Sequence, residues 1–460
     1  MTNTLPSKRT GQESAVGLHK HKRSATDIGI ALLTPLIGQE FLDKYNLRDP
    51  LNRGLKYGVK QAFSAAGATT RQFKRVQGLG KPATRLKASG ADYFDLTPDD
   101  DQKMIVQTVE EFAEEILRPA AHDADAAATY PPDLIAKAAE LGITAINIPE
   151  DFDGIAENRS TITNALVAEA LAYGDMGLAL PILAPGGVAS ALTHWGSADQ
   201  QATYLPEFAG ENVPQACVAI AEPHPLFDPT SLKTTAVRTP SGYRLDGVKS
   251  LVPAAADAEL FVIAAQLNGK PTLFLVESAA SGVTVTADPS MGIRAAALGR
   301  VELDKVTVPL SARLGEDVSE AEHDSNYSEA IALSRLGWAA LAVGTSHAVL
   351  DYVIPYVKER EAFGEPIAHR QSVAFMCANI AIELDGLRLI TWRGASRAEQ
   401  GLSFAREAAL AKRLGTDKGM QIGLDGVQLL GGHGYTKEHP VERWYRDLRA
   451  LGVAEGVVVL

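Results

Sequence analysis

The sequence predicts an α+β protein with an N-terminal α-helical domain, a small middle β domain and a C-terminal domain like a four-helix bundle. Three observations carry this. Apolar residues recur at helical spacing from about residue 100 to Tyr173, change to a two-residue alternation near Val213, and return to helical spacing from Ser328 onward. The boundaries follow as 1–90 for a basic extension, then 91–212, 213–325 and 326–460, with no internal repeat.

Residues 1 to about 25 are polar, basic and without period, and are expected to be disordered. Asp27–Tyr45 and Leu51 to about Arg75 read as helices. In the second, Leu51, Leu55, Val59 and Phe63 are spaced by four, with Arg53, Lys56 and Lys60 between them. Such a helix packs on the main body with its cations in water, or lies on an anionic membrane surface. Gly78–Gly90 reads as a linker. The next helix is expected to be capped by Thr97, with Pro98 in the first turn and Ile105, Val109, Phe112 and Ile116 on one face. Leu134–Leu141 closed by Gly142, and Ile162–Tyr173 closed by Gly174, read as further helices. In the middle block, Leu260–Gln266 and Thr272–Val276 flank Asn268-Gly269 as a hairpin, and Val283–Thr286 and Val301–Val308 continue as strands. Helices are then expected at about 328–358, 366–399, 403–430 and 440–450.

The chain has 460 residues, 46% of them hydrophobic, enough for two or three packed domains. It has only two cysteines, Cys217 and Cys377, so neither a disulfide framework nor a cysteine metal site is expected. No run is read as reaching the roughly 18 apolar residues of a membrane span, and the basic cluster before Ile28–Gly38 is interrupted by Asp27 and lacks a cleavage site. The expected location is cytoplasmic, with the extension peripheral to a membrane at most. Residues 1–90 hold 16 Lys and Arg against 5 Asp and Glu, whereas residues 91–460 hold 28 against 51. The basic arm therefore suits an anionic surface or the acidic remainder of its own protein. It lacks interleaved aromatics over most of its length, which argues against nucleic acid.

Neither a Gly-x-Gly-x-x-Gly nor a Walker lysine loop is present. Gly431-Gly432-His433-Gly434 follows a helical stretch containing Gln428; it reads as a helix stop or as close backbone approach to a phosphate. Several stretches in order carry more weight than any one. Arg360-Glu361-Ala362-Phe363-Gly364-Glu365-Pro366-Ile367 with Gln371, then Gln428-Leu429-Leu430-Gly431-Gly432-His433-Gly434-Tyr435, then Glu442-Arg443-Trp444-Tyr445-Arg446-Asp447, and Glu455-Gly456 eight residues later, resemble segments of the acyl-CoA dehydrogenase family. The resemblance runs from about Phe94 to Leu460 and includes Glu222-Pro223 and Gly292-Ile293-Arg294-Ala295.

The resemblance implies flavin-dependent α,β-dehydrogenation of an acyl-CoA to the 2,3-enoyl-CoA, with Glu455 as catalytic base, FAD as hydride acceptor at N5 and an electron-transfer flavoprotein as partner. It implies that Arg360, Phe363 and Gln371 reach the FAD of a neighbouring subunit and that Gln428, Gly431 and Gly432 cradle its pyrophosphate. An oligomer follows. Arg335 and Gly456 fall at substrate-pocket positions, although Arg335 also reads as a surface or interface ion pair. Independently of the family, removing a proton next to a thioester carbonyl needs a base kept dry, and Val453, Ala454, Val457 and Val458 around Glu455 are expected to desolvate it.

The sequence departs from the family pattern where the middle domain holds the flavin. The Thr-Glu-Pro-Gly-Ala-Gly-Ser-Asp loop reads Ala221-Glu222-Pro223-His224-Pro225-Leu226-Phe227-Asp228, and the Trp-Ile-Thr strand reads Leu251-Val252-Pro253. Ala221 and Leu251 thus occupy cofactor positions without the hydroxyl and the stacking ring. The sequence also stops at Leu460, before the closing helix of the family. Two functions compete: a homo-oligomeric acyl-CoA dehydrogenase, and a non-catalytic or half-site subunit of a hetero-oligomer formed with a paralogue.

Overall fold

A computed structural model describes residues 97–156, 160–210 and 212–460. The expectations for 1–90, including the two amphipathic helices, lie outside the described residues.

Helix α1, Asp100–Phe112, starts two residues later than Thr97 would set it. Asp99 caps it: its Oδ1 accepts from the Gln102 N–H at 2.7 Å, and Gln102 Oε1 accepts from the Asp99 N–H at 3.1 Å. The glutamine three residues on closes this reciprocal cap at Asp99. A π turn, Ala113–Leu117, leads into α2, Arg118–Ala127. Helices α3, Leu134–Glu140, and α4, Thr161–Gly174, fall where their stop signals place them; Gly142 ends α3 at φ +72°.

Helix α5, Met176–Trp195, corrects the reading that no segment is long and apolar enough to span a membrane: by length and composition this one is, yet 83% of its most apolar window is buried inside the protein. Asp175 caps it through the Leu178 N–H, and Pro181 and Pro185 sit within it. It is apolar all round because it is enclosed all round. Helix α6, Ala198–Ala209, completes the helical block.

Seven strands form the middle sheet: β1 Ala216–Ala219, β2 Thr235–Thr239, β3 Gly242–Val252, β4 Leu260–Leu267, β5 Lys270–Glu277, β6 Val283–Ala287 and β7 Gly299–Pro309. Their order is β1-β4-β2-β3-β7-β6, with β5 also on β4; β4 is parallel to β1 and β2 and the other pairs are antiparallel. The β4–β5 hairpin turns at Asn268 and Gly269, both at positive φ, as its Asn-Gly signal requires. Irregularities in the β3–β7 register lie at Leu245/Gly247 and Lys249/Val252, and the second brackets Leu251, held at φ +55°.

The 40-residue helix α7, Glu320–Glu359, is the spine of the C-terminal block. Gly344 lets it touch α4, since a Cβ there would stand 2.0 Å from the Glu169 carbonyl oxygen. A two-stranded turn, β8 Glu361–Ala362 and β9 Glu365–Pro366, precedes α8, Gln371–Glu399, so the helix expected from 366 begins at 371. The expected 403–430 helix is divided into α9, Ala405–Leu414, and α10, Met420–Leu430, by a π turn at Gly415–Gly419; α11 is Val441–Leu448.

Candidate active site

After α11 the chain makes one 3-10 turn, Arg449–Gly452, and then runs between α7 and β1. Gly456, at φ +80°, forms a bridge with Ala219, and a Cβ on it would press on Ile220 at 3.0 Å and on the Val218 carbonyl at 3.1 Å. Its carbonyl accepts from Ser334 Oγ at 2.8 Å and Trp338 Nε1 at 3.0 Å, both on α7, and the Val457 N–H donates to the Val218 carbonyl at 3.0 Å. The backbone on the C-terminal side of Glu455 is therefore fixed from both sides.

The Glu455 side chain is 11% exposed. Its Oε1 accepts from Arg335 Nη2 at 3.2 Å and Nε at 3.3 Å, and Lys412 Nζ stands 3.9 Å away. Its Oε2 is buried, and no donor among the described residues reaches it. Two site residues read separately from the sequence, Glu455 and Arg335, thus meet, and the ion pair that Arg335 makes among the described residues is with Glu455. The apolar surround differs from expectation: Ala454, Val457 and Val458 are buried, but Val453 is 63% exposed, and the nearest groups are cations. Lys412 was not singled out in the sequence. It also donates to the Ala454 carbonyl, and burial, joined by repulsion from Arg335 and opposed by the pull of Glu455, pushes its ammonium down to about 8. Tyr327, whose phenol burial and nearby carboxylates push up, donates to the Pro229 carbonyl at 2.6 Å.

A second place collects the residues assigned to a neighbour's cofactor. Arg360, Phe363, Gln428, Gly431 and Gly432 line one open groove of about 780 Å³, together with Arg370 and His433, which the sequence reading missed. Phe363 is 96% exposed, with the Arg370 guanidinium 5.5 Å from its ring centre. Gly431 holds φ +58°, and Cβ atoms built on Gly431 or Gly432 meet nothing within 4 Å, so a ligand can come directly against this backbone. Gln371 begins α8 beside Arg370 and is not among the lining residues. Two guanidinium groups, an amide and bare backbone suit a phosphate-bearing ligand.

The positions assigned to this chain's own flavin fit less well. Ala221 is buried and its carbonyl accepts from the Ser250 N–H at 3.0 Å. The Leu251 N–H is spent on Asp288 Oδ2 at 3.0 Å, and Leu251 and Ala454 line a small cavity of about 90 Å³. The loop behind Ala221 is nevertheless firmly built. Burial alone would raise the Glu222 carboxyl, but the Lys249 ammonium at 2.9 Å and the N–H groups of Lys233 (2.7 Å) and Thr234 (2.9 Å) hold it down at about 2. The outward groove thus fits half of a dinucleotide, whereas at the inner positions Ala221 and Leu251 bring neither a hydroxyl nor a stacking ring to a flavin.

Three family descriptions match in chain order: acyl-CoA dehydrogenase N-terminal domain over residues 99–212, middle domain over 217–306 and C-terminal domain over 326–457. The mouse mitochondrial short-chain specific acyl-CoA dehydrogenase is 29% identical over 77% of this chain and 86% of its own length. The benzylmalonyl-CoA dehydrogenase of Aromatoleum aromaticum is 31% identical over 79% of this chain and 96% of its own. Among solved structures, butyryl-CoA dehydrogenase from Megasphaera elsdenii superposes with a TM-score of 0.72 at 26% identity, over 78% of this chain and 95% of that one. With all three domains in order and relatives matched over nearly their whole length, the chain belongs to the acyl-CoA dehydrogenase family, oxidoreductases that bind FAD.

Proposed function

We propose that the chain takes part in α,β-dehydrogenation of an acyl-CoA thioester to the 2,3-enoyl-CoA, with Glu455 as the base. The carrying observation is the division of labour between its oxygens: Oε1 is held by the Arg335 fork, while Oε2 is buried without a donor. A carboxylate held so keeps a fixed direction and one free lone-pair edge, the arrangement that accepts a proton from the carbon beside the thioester carbonyl. Arg335 orients the base, and the Gly456 backbone, pinned by Ser334 and Trp338, sets where an acyl group passes. FAD, when bound, supplies the acceptor for the hydride leaving the next carbon. An electron-transfer flavoprotein is the proposed electron acceptor. Of the cofactor positions, Arg360, Phe363, Gln428, Gly431 and Gly432, with Gln371 beside them, are proposed to serve the FAD of another chain.

A second reading, a half-site subunit that completes a paralogue's FAD site, is favoured by one specific observation: the Leu251 amide is already committed to Asp288. Each missing hydrogen bond to a ligand is worth about 0.5 to 1.5 kcal/mol, so three or four losses weaken affinity by orders of magnitude. Purified alone, the chain is expected to carry clearly less than one FAD per subunit by visible absorbance, and co-expression with a paralogue that keeps the Thr-Glu-Pro and Trp-Ile-Thr elements is expected to raise occupancy. A homo-oligomer holding one tight FAD per chain removes the need for a partner.

For the basic extension we propose a cytoplasmic location with peripheral membrane contact. Deleting residues 1–90 is expected to leave the rest folded, because helical capping begins at Asp99. It is also expected to abolish salt-sensitive cosedimentation with anionic vesicles. Equal cosedimentation of both forms rejects the membrane role.

A further inference from the structure

We propose that Lys412, on α9, is a positioning residue for the base, tying the Ala454 carbonyl in place and standing as a second cation beside Glu455. The proposal rests on Glu455 being the base. Arg335 approaches the carboxylate from α7, whereas Lys412 approaches from α9 and engages the backbone immediately before it. Gly456, immediately after it, is held by Ser334 and Trp338. Glu455 is therefore fixed on both sides along the chain, and among the described residues Lys412 is the one side chain that both anchors that backbone and lies near the carboxylate. Desolvating the Lys412 ammonium carries a cost that the 3.9 Å contact with Glu455 offsets only in part. The charged groups acting on it are Glu455 and Arg335.

The arrangement also supplies a reporter, since the Lys412 ammonium stands 5.8 Å from the centre of the Trp338 ring. Its charge is lost as pH rises past about 8, a depressed value caused by burial, with Arg335 adding and Glu455 opposing. Because the unfolded lysine still binds its proton up to 10.5, folding stability gains from Lys412 as pH rises between those values and loses as pH falls through the lower one.

The test uses the full-length protein as purified and three variants, Lys412→Met, Lys412→Gln and Lys412→Arg. Tryptophan emission of the parent, titrated from pH 6.5 to 10, is expected to show an inflection near 8 that is absent from Trp338→Phe and from every Lys412 variant. With acyl-CoA turnover as a second readout, Lys412→Met is expected to lower kcat by about 10- to 100-fold with little change in KM and to move the acid limb of the pH profile to higher pH, since an opposite charge within about 6 Å favours the ionised carboxylate. Lys412→Arg keeps the charge and is expected to restore that limb; Lys412→Gln keeps a donor for Ala454 but not the charge, and carries the test should the Met variant not fold. An unmoved acid limb in both neutral variants overturns the positioning role. So does a parent without the emission inflection. If Glu455→Gln turns over normally, it is the assignment of the base that fails, while the fluorescence result still reports on Lys412.

Discussion

Glu455→Gln is expected to lower turnover of an acyl-CoA by roughly 10³-fold, within the 10²- to 10⁴-fold range of general base catalysis, while leaving the fold and cofactor content unchanged. The amide fills the same volume, and its carbonyl oxygen can still accept from Arg335, as Oε1 does at 3.2 Å. What is lost is the open edge: the buried position of Oε2 becomes an NH2 group that cannot take a proton. The loss corresponds to about 4 kcal/mol of transition-state stabilisation. Anaerobic bleaching of the flavin by an acyl-CoA measures the step directly, and a variant that bleaches at the parental rate shows that another group is the base.

Much of this fold was legible because local signals matched their final surroundings. Asn268-Gly269 turns a hairpin wherever it is placed, and Gly142 stops a helix by its own conformation. Legibility failed where the surroundings decide. Helix α5 is enclosed on all sides, so its pattern has no polar face to mark a period, and Pro181 and Pro185 lie inside it. Strand β1 is buried at all four positions and shows no alternation, and β3 changes register where Lys249 gives way to Val252. In the site, the order of motifs carried Glu455 and Arg335. The Asp288 carboxylate that takes the Leu251 N–H lies 37 residues away, and Lys412 lies 42 residues before the carbonyl it holds; no spacing rule joins such pairs.

Breaking the buried pair under the inner cofactor loop is the second large effect expected. Lys249 has no solvent exposure and spends its protons on Glu222 Oε1 at 2.9 Å and the Ile220 carbonyl at 3.1 Å. Lys249→Met keeps most of the apolar stem but leaves a buried carboxylate supported by backbone N–H groups and His224 alone. Removing one partner of such a pair costs about 3 to 5 kcal/mol, which a urea midpoint measures directly. The pH dependence separates this from simple mispacking. Glu222 is held at about 2, below its ordinary 4.5, and burial brings the Lys249 ammonium down to about 8, so the charged pair's contribution is fully present between 4.5 and about 8 and is lost as pH falls toward 2. The stability gap between parent and variant should therefore narrow as the solution is acidified through that window. A gap that stays constant, or no shift in midpoint at all, would mean that the pair does not hold the loop. A real loss would tie the loop at Ala221–His224 to a charge pair rather than to the hydroxyls it lacks, and would explain how the inner half of the site stays built while offering a flavin so few donors.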